Sequence, residues 1–346
     1  MICTLCPRMC RAQRDETHGE GYCGMGTRAV VARAAPHYWE EACLSGTRGC
    51  GTIFFSGCPL GCVYCQNYEI SHEKQGRPVT DEELAELITN LAAQGVHNIS
   101  FVTGTHFVPA ILRALDIARP ALPIVWNTGG YEHVDTLRAL DGRVDIYLPD
   151  LKNVSPRLGK VLANAPDYFE AASQAILEML RQTGPAQYDA QGMMTRGTII
   201  RHLVIPGCTG DSLKVMDWIA QNSPQGTPVS IMRQYTPIAQ CHVKGLNRRV
   251  TDEEYERVLD RARDLGLNAF VQEHRLTEGS SRIVGSMQRL LPTTLCMALY
   301  DMGERACFLW AGDSRGYVLD EDGLHLYTRD DVKFRMDELE RLRCDA

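Results

Sequence analysis

The chain has 346 residues, of which 44% are hydrophobic and 23% charged, with a formal net charge of −7 and a pI near 5.8. That composition is ordinary for a folded globular protein, the length suits about two domains, and the acidic balance excludes the basic footprint of a nucleic-acid binder. No apolar run reaches the roughly 18 residues of a membrane-spanning helix. Met1-Ile2-Cys3 lacks the basic and apolar regions of a signal peptide, so the expected location is cytoplasmic. Fourteen cysteines in a reducing compartment point to metal ligation rather than disulfides.

In chain order, the first feature is a set of four cysteines, Cys3, Cys6, Cys10 and Cys23, at C-x2-C-x3-C-x12-C spacing, with Pro7, Gly19, Gly21 and Gly24 to supply turns. Four thiols can close a tetrahedral zinc site or hold a second iron–sulfur cluster, and the spacing leaves both open. Residues 1–50 are read as a Cys-rich N-terminal segment. Cys43, Cys50, Cys208, Cys241, Cys296, Cys307 and Cys344 are isolated in sequence and read as small buried hydrophobes.

Next comes Thr52-Ile53-Phe54-Phe55-Ser56, β-branched and aromatic, which predicts a strand. It runs into Gly57-Cys58-Pro59-Leu60-Gly61-Cys62-Val63-Tyr64-Cys65, a Gly- and Pro-containing loop with cysteines at C-x3-C-x2-C spacing. Three thiolates fall one short of a structural zinc site. They suffice for three irons of a [4Fe–4S] cluster and leave the fourth iron open, which implies chemistry rather than stapling.

From 52 to 272 the pattern alternates. Strands are predicted at 52–56, 98–102, 124–127, 144–148, 198–204, 228–232 and 269–272, and helices at 81–94, 109–118, 134–140, 166–183, 211–222 and 252–265. Thr80-Asp81-Glu82-Glu83 and Thr251-Asp252-Glu253-Glu254 are capping boxes that fix two helix starts. Repeated strand–helix–strand units demand a parallel sheet, and right-handed crossovers curl it into a full or partial barrel. The expected domain covers 51–273. In such barrels the chemistry sits at the C-terminal strand ends, where the sequence places Thr103-Gly104-Thr105, Asn127-Thr128-Gly129-Gly130, Asp150-Leu151-Lys152 and Arg201-His202.

The C-x3-C-x2-C loop, with Tyr64 before its third cysteine, resembles the signature of the radical S-adenosylmethionine (radical SAM) superfamily. Glu40-Glu41, Ser45-Gly46-Thr47-Arg48-Gly49, Cys65-Gln66-Asn67-Tyr68-Glu69-Ile70-Ser71, Tyr147-Leu148-Pro149-Asp150-Leu151-Lys152 and Gln234-Tyr235-Thr236-Pro237 are similar to the branch related to pyruvate formate-lyase activating enzyme. That branch also opens with a segment like Cys3 to Arg8. The resemblance covers residues 1 to about 273. It implies an α/β fold, a partial (β/α)6 TIM-like barrel with a Cys-rich N-terminal extension. It further implies a [4Fe–4S] cluster on Cys58, Cys62 and Cys65, and S-adenosylmethionine on the open iron, reductively cleaved to a 5′-deoxyadenosyl radical for hydrogen abstraction. Thr103, Thr105, Asn127, Asp150, Lys152 and His202 become candidates for holding S-adenosylmethionine. Thr103-Gly104-Thr105 matches the family's Gly-Gly-Glu segment in position only. The implied partners are a low-potential reductant such as flavodoxin or ferredoxin and, by analogy, a glycyl radical enzyme. Modification of a small molecule or peptide is the alternative, and an iron–sulfur electron-transfer protein is the rival from another class.

Beyond Arg282 the pattern turns to short strands, expected at 294–300, 306–311, 317–319 and 324–327, an antiparallel meander. Gly312-Asp313-Ser314-Arg315 resembles a strand of metal-dependent serine/threonine phosphatases, but the acidic motifs of a two-metal site are missing. Residues 283–346 are read as an incomplete phosphatase-like β fragment, too small to bury a sound core alone.

Overall fold

A computed structural model describes residues 2–271 and, further along, four short strands. Its strands are β1 (Ala29–His37), β2 (Cys50–Phe55), β3 (Arg77–Val79), β4 (Ile99–Val102), β5 (Ile124–Thr128), β6 (Ile146–Pro149), β7 (Gln187–Tyr188), β8 (Met194–Thr198), β9 (Ile200–Leu203), β10 (Pro228–Met232) and β11 (Asn268–Val271). The helices are α1 (Ala42–Ser45), α2 (Tyr68–Ser71), α3 (Asp81–Ala93), α4 (Val108–Ala118), α5 (Val134–Arg138), α6 (Pro156–Ala163), α7 (Tyr168–Thr183), α8 (Thr209–Asn222) and α9 (Asp252–Asp264). The strands β2, β4, β5, β6 and β8 pair in parallel in that order, and β9, β10 and β11 continue as a second parallel group. The single strand expected at 198–204 is therefore divided. Its first part pairs with β6 and its second with β10, while a parallel bridge from Asp150 to Arg201 spans the two. The result is the expected partial (β/α) barrel, open rather than closed.

Two additions depart from the expected plain alternation. β1 lies antiparallel on β2 and carries β3 on its other edge, so the cysteine-loop strand is an inner strand rather than an edge. α6, between β6 and α7, begins with Pro156 at its first turn and is capped by Ser155, whose hydroxyl accepts from the Leu158 N–H. Both expected capping boxes are present: Thr80 accepts from Glu83 N at 3.1 Å and Glu83 returns the bond at 2.7 Å, with the same exchange between Thr251 and Glu254.

Strand alternation sorts the side chains into layers. Ile53, Phe55, Ile99, Phe101, Ile124 and Trp126 face helices α3 and α4 in one core. On the opposite face, Cys50, Val125, Ile146, Leu148 and Ile199 gather with Leu44 of α1. Further along the strands this inner face turns polar, at Asn127, Asp150 and Arg201. The barrel interior is thus sealed by hydrocarbon at one end and charged at the other. A third core joins α6 to α9 and β10 to the cysteine loop through Leu60, Cys62 and Tyr64.

The four C-terminal strands, Tyr300–Asp301, Ala306–Phe308, Tyr317–Asp320 and Gly323–Leu326, pair antiparallel in sequence order. They form the meander expected there. The phosphatase-like Gly312-Asp313-Ser314-Arg315, together with Cys296 and Cys344, lies outside the described residues.

Candidate active site

The cysteine loop leaves the C-terminal end of β2. Gly57 and Gly61 bend it with φ of +78° and +62°, values that favour glycine. A side chain on Gly57 would collide with Met25. The loop is fastened by Val63 N–H to the Leu162 carbonyl at 2.9 Å, and by Cys65 N–H to the Cys62 carbonyl at 3.0 Å. Leu60 N–H points at Cys58 Sγ at 3.4 Å. Burial raises the Cys58 thiol and pushes Cys62 up to about 12; charge on Cys65 raises Cys58 further, and charge on Cys58 and Cys65 raises Cys62. The ammonium of Lys152 acts in the opposite sense on both. Partly to fully buried thiols beside one cation fit a metal centre that takes them as thiolates. Among the described residues no three Cys, His, Asp or Glu side chains converge as one metal ion would require. In a cluster each thiolate has its own iron, so the thiols need not meet at a point.

Beside the loop lies a buried polar group built from three strand ends and the segment before α1. Arg201 donates to Asp150 Oδ1 at 3.0 Å, Glu40 Oε2 at 3.0 Å and Asn127 Oδ1 at 2.6 Å. Asn127 donates in turn to Glu40 Oε1 at 2.8 Å, and Lys152 to Asp150 Oδ2 at 2.6 Å. The four charged side chains are 9–16% exposed. Two anions and two cations balance, which makes burial tolerable. Burial would raise Asp150, but Lys152 and Arg201 together hold it below the usual carboxylate range. Glu40 goes the other way: burial wins over the pull of Arg201. An ammonium has three N–H donors, and Asp150 is the partner given to Lys152 Nζ among the described residues. Its other donors suit an incoming carboxylate.

Of the six residues expected to hold S-adenosylmethionine, the structure brings Asn127, Asp150 and Lys152 together. Thr103 stands next to them. Its N–H donates to the Asn127 carbonyl at 2.9 Å and its φ is +59°, strained for a β-branched residue. Thr105 is turned away: its hydroxyl donates to Glu132 Oε1 at 2.7 Å, in a buried cluster with Trp126 and Thr128 on the helix-facing side. His202 alternates to the face opposite Arg201. Its Nδ1 lies 2.7 Å from the Leu151 carbonyl and, among the described residues, its buried Nε2 has no hydrogen-bond partner. Sequence reasoning missed Glu40 and Arg201 as members of the group. The two-residue period from inward-facing Ile199 would have found Arg201. Glu40 is marked in the sequence only by the resemblance of Glu40-Glu41, which assigns it no role.

The glycines after β5 shape the floor. Gly130 has φ of +82°, and a side chain there would strike the Asp150 carbonyl. The Tyr168 hydroxyl lies within hydrogen-bond reach of the Gly129 and Asp150 carbonyls and accepts from Lys152 N–H. The backbone that presents Asp150 and Lys152 is therefore held from behind.

His106 holds the approach to the loop. It is buried, with Nε2 donating to the Ser56 carbonyl at 2.8 Å, and burial lowers it to about 4. A histidine whose pKa falls on folding favours the unfolded chain once it is protonated there. Its contribution is therefore complete above the unfolded value near 6.5 and is lost as pH falls from there towards about 4. The loss is expected to reach ~3 kcal/mol at most, 2.5 pH units at ~1.36 kcal/mol each. Urea titrations at pH 7, 5.5 and 4 check it: His106→Gln should lose less stability across this window than the unsubstituted protein. Equal losses would show that His106 is not the titrating group.

The N-terminal cysteines form an ordered knuckle. Cys3 N–H donates to the Ala12 carbonyl at 3.0 Å, Arg11 N–H to Cys3 at 3.1 Å and Met9 N–H to Cys6 at 3.0 Å. Met9 and Arg11 take φ of 42° and 50°, so the chain folds back on both sides of Cys10. Burial pushes Cys6 up to about 12 and raises Cys23, with charge on the neighbouring thiols adding to both.

Residues 52–219 match the family model described as the Radical SAM superfamily. Uncharacterized protein MJ0674 of Methanocaldococcus jannaschii is 29% identical over 280 residues, 77% of this chain and 75% of that protein. Among solved structures, SuiB of Streptococcus suis bound to S-adenosylmethionine aligns with a TM-score of 0.44 and 12% identity, over 63% of this chain and 48% of SuiB. A radical SAM methyltransferase from Sphaerobacter thermophilus aligns with a TM-score of 0.44 and 15% identity, over 64% of this chain and 66% of that one. The chain thus spans about half the length of SuiB. Among the described residues no helix is long and apolar enough to cross a membrane.

Proposed function

We propose that residues 52–219, which match the Radical SAM superfamily model, work as a radical SAM domain in which Cys58, Cys62 and Cys65 hold a [4Fe–4S] cluster and the group around Asp150 holds S-adenosylmethionine. The observation that carries this is the placement of the three-cysteine loop and the Lys152–Asp150–Arg201–Asn127–Glu40 group together at the C-terminal strand ends. When bound, the cluster and S-adenosylmethionine supply an electron and a cleavable C5′–S bond, hence a radical able to abstract hydrogen. The residues do the rest. Lys152 meets the carboxylate of the methionine moiety with its remaining donors. Asn127 keeps one N–H for a hydroxyl, its other polar contacts being taken by Glu40 and Arg201. His202, on the opposite face, acts from behind: its Nδ1 holds the Leu151 carbonyl between Asp150 and Lys152. Thr103 sets the backbone beside Asn127, and we retain Thr105 as a support that anchors this turn through Glu132. Leu60, Tyr64 and Tyr235 exclude water from the loop side.

On this reading the substrate is the glycine of a glycyl radical enzyme, and a flavodoxin or ferredoxin would reduce the cluster of this chain. The support is the resemblance of Cys3–Arg8, Glu40-Glu41 and Asp150-Leu151-Lys152 to the activating-enzyme branch. The N-terminal thiols, Cys3, Cys6, Cys10 and Cys23, hold a second centre, iron–sulfur in preference to zinc because the neighbouring chemistry already requires cluster loading and a supply of electrons. One anaerobic preparation tests all of this. S-adenosylmethionine cleavage should appear on reduction, with ~8 irons per chain at four irons per cluster. Quadruple Cys→Ser replacement at the N-terminus should leave ~4. One zinc beside ~4 irons would reassign the N-terminal site, and ~4 irons unchanged by the replacement would remove it. A glycine-centred radical signal in a candidate partner supports the finer reading. Cleavage with a modified small molecule or peptide instead would overturn it.

A further inference from the structure

Arg8 belongs to the N-terminal knuckle by sequence and to the cysteine loop by its bonds. Its Nε donates to the Pro59 carbonyl at 2.8 Å and its Nη2 to the Leu60 carbonyl at 3.3 Å, both between Cys58 and Cys62. The same guanidinium donates to Ala163 at 2.9 Å and Asn164 at 2.5 Å, at the C-terminal end of α6. Its carbon lies 4.0 Å from the Tyr22 ring centre and 5.3 Å from that of Tyr131. Tyr22 adds its own hydroxyl to the Leu60 carbonyl at 3.0 Å. Thr136 in α5 donates to the Leu5 carbonyl at 2.9 Å and fixes the segment just before Arg8.

Four carbonyl oxygens from two segments converge here, and dipoles so arranged repel. They stay together because a planar cation with five N–H donors fits between them. Two of the four end a helix, where a positive charge is favoured. Among the described residues Arg8 has no carboxylate partner; its N–H groups all go to backbone carbonyls and its face to the Tyr22 and Tyr131 rings. The residues that make this clamp are also neighbours of the N-terminal thiols: Arg8 lies between Cys6 and Cys10, and Tyr22 adjoins Cys23.

We propose that Arg8, assisted by Tyr22, is the positioning residue of the Cys58–Cys65 loop: it locks Pro59 and Leu60 to the end of α6, so that the N-terminal cysteine unit forms one wall of the cluster loop. The cluster part of this inference rests on the proposed function; the clamp does not. The test uses the full chain, loaded anaerobically, as Arg8→Gln, Arg8→Lys and Tyr22→Phe, with iron content, melting temperature, hydrogen exchange over 58–65 and the electron paramagnetic resonance of the reduced cluster with and without S-adenosylmethionine. Arg8→Gln should speed exchange of the Leu60–Val63 amides about tenfold or more and abolish or broaden the spectral change that S-adenosylmethionine produces. Arg8→Lys should rescue neither, because a single ammonium cannot bridge four carbonyls. Tyr22→Phe, which removes one hydrogen bond, should give a smaller change of the same kind. Unchanged exchange and an unchanged spectral response in Arg8→Gln overturn the proposal. If that variant does not fold, unchanged exchange in Tyr22→Phe does so. An unsubstituted chain that takes up no cluster defeats the proposed function instead, while the exchange measurement still decides whether Arg8 holds the loop.

Discussion

Replacing any one of Cys58, Cys62 and Cys65 by alanine is expected to remove the visible iron–sulfur absorbance of that site and all cleavage of S-adenosylmethionine. Each thiolate holds one iron, and three is the smallest number that leaves a single iron open. Two thiolates would expose a second iron to solvent. Two polar neighbours of the loop cannot substitute as ligands: Lys152 is a cation, and Tyr64 is buried with its hydroxyl held protonated. Cys50 is the control. It is buried at the sealed end of the barrel among Leu44, Val125 and Ile146, and Cys50→Ala should cost stability and leave cleavage in place. Cleavage that survives in any of the three loop variants would sink the assignment of the loop.

The parts of this protein that were legible in the sequence are those written locally. The strand before the cysteine loop, the alternation through β10, both capping boxes and the helices α3, α4, α8 and α9 follow from period, cap and turn residues within short windows. β1 was not legible because Ala-Val-Val-Ala-Arg-Ala-Ala-Pro-His is poor in the β-branched and aromatic residues that mark strands; pairing with β2 makes it one. α6 hid behind Gly159, which weakens a helical pattern. Its absent side chain leaves room for the Ala165 carbonyl, a contact visible only in three dimensions. In the site, Asp150 and Lys152 were found through the resemblance of Asp150-Leu151-Lys152 to the activating-enzyme branch. Glu40, 161 positions from the arginine it pairs with, was not. His202 was favoured over Arg201 by the resemblance to the activating-enzyme branch, although strand alternation gives the inward place to only one of two neighbours.

Arg201→Ala is expected to be the most destabilising single substitution in the site, by about 3–5 kcal/mol in urea unfolding, the range for breaking a buried ion pair from one side. The guanidinium is shared among Asp150, Glu40 and Asn127, and its loss leaves two buried carboxylates facing one ammonium. Glu40, raised by burial already, would then take up a proton, and part of the cost would fall away at lower pH. Arg201→Lys keeps the charge but not the fork, so it should recover only part of the stability and leave Asn127 free to turn. Pairing Arg201→Met with Glu40→Gln removes one charge of each sign and should cost less than Arg201→Ala alone, a coupling a double-mutant cycle reads directly. The comparison is Arg113, paired with Asp81 at 2.5 Å but 56% exposed, whose replacement by alanine should cost under ~1 kcal/mol. If Arg201→Ala unfolds within ~1 kcal/mol of the unsubstituted chain, the buried group does not hold the strand ends together, and Asp150 and Lys152 must be positioned by the Tyr168 hydroxyl and the Gly129-Gly130 turn alone.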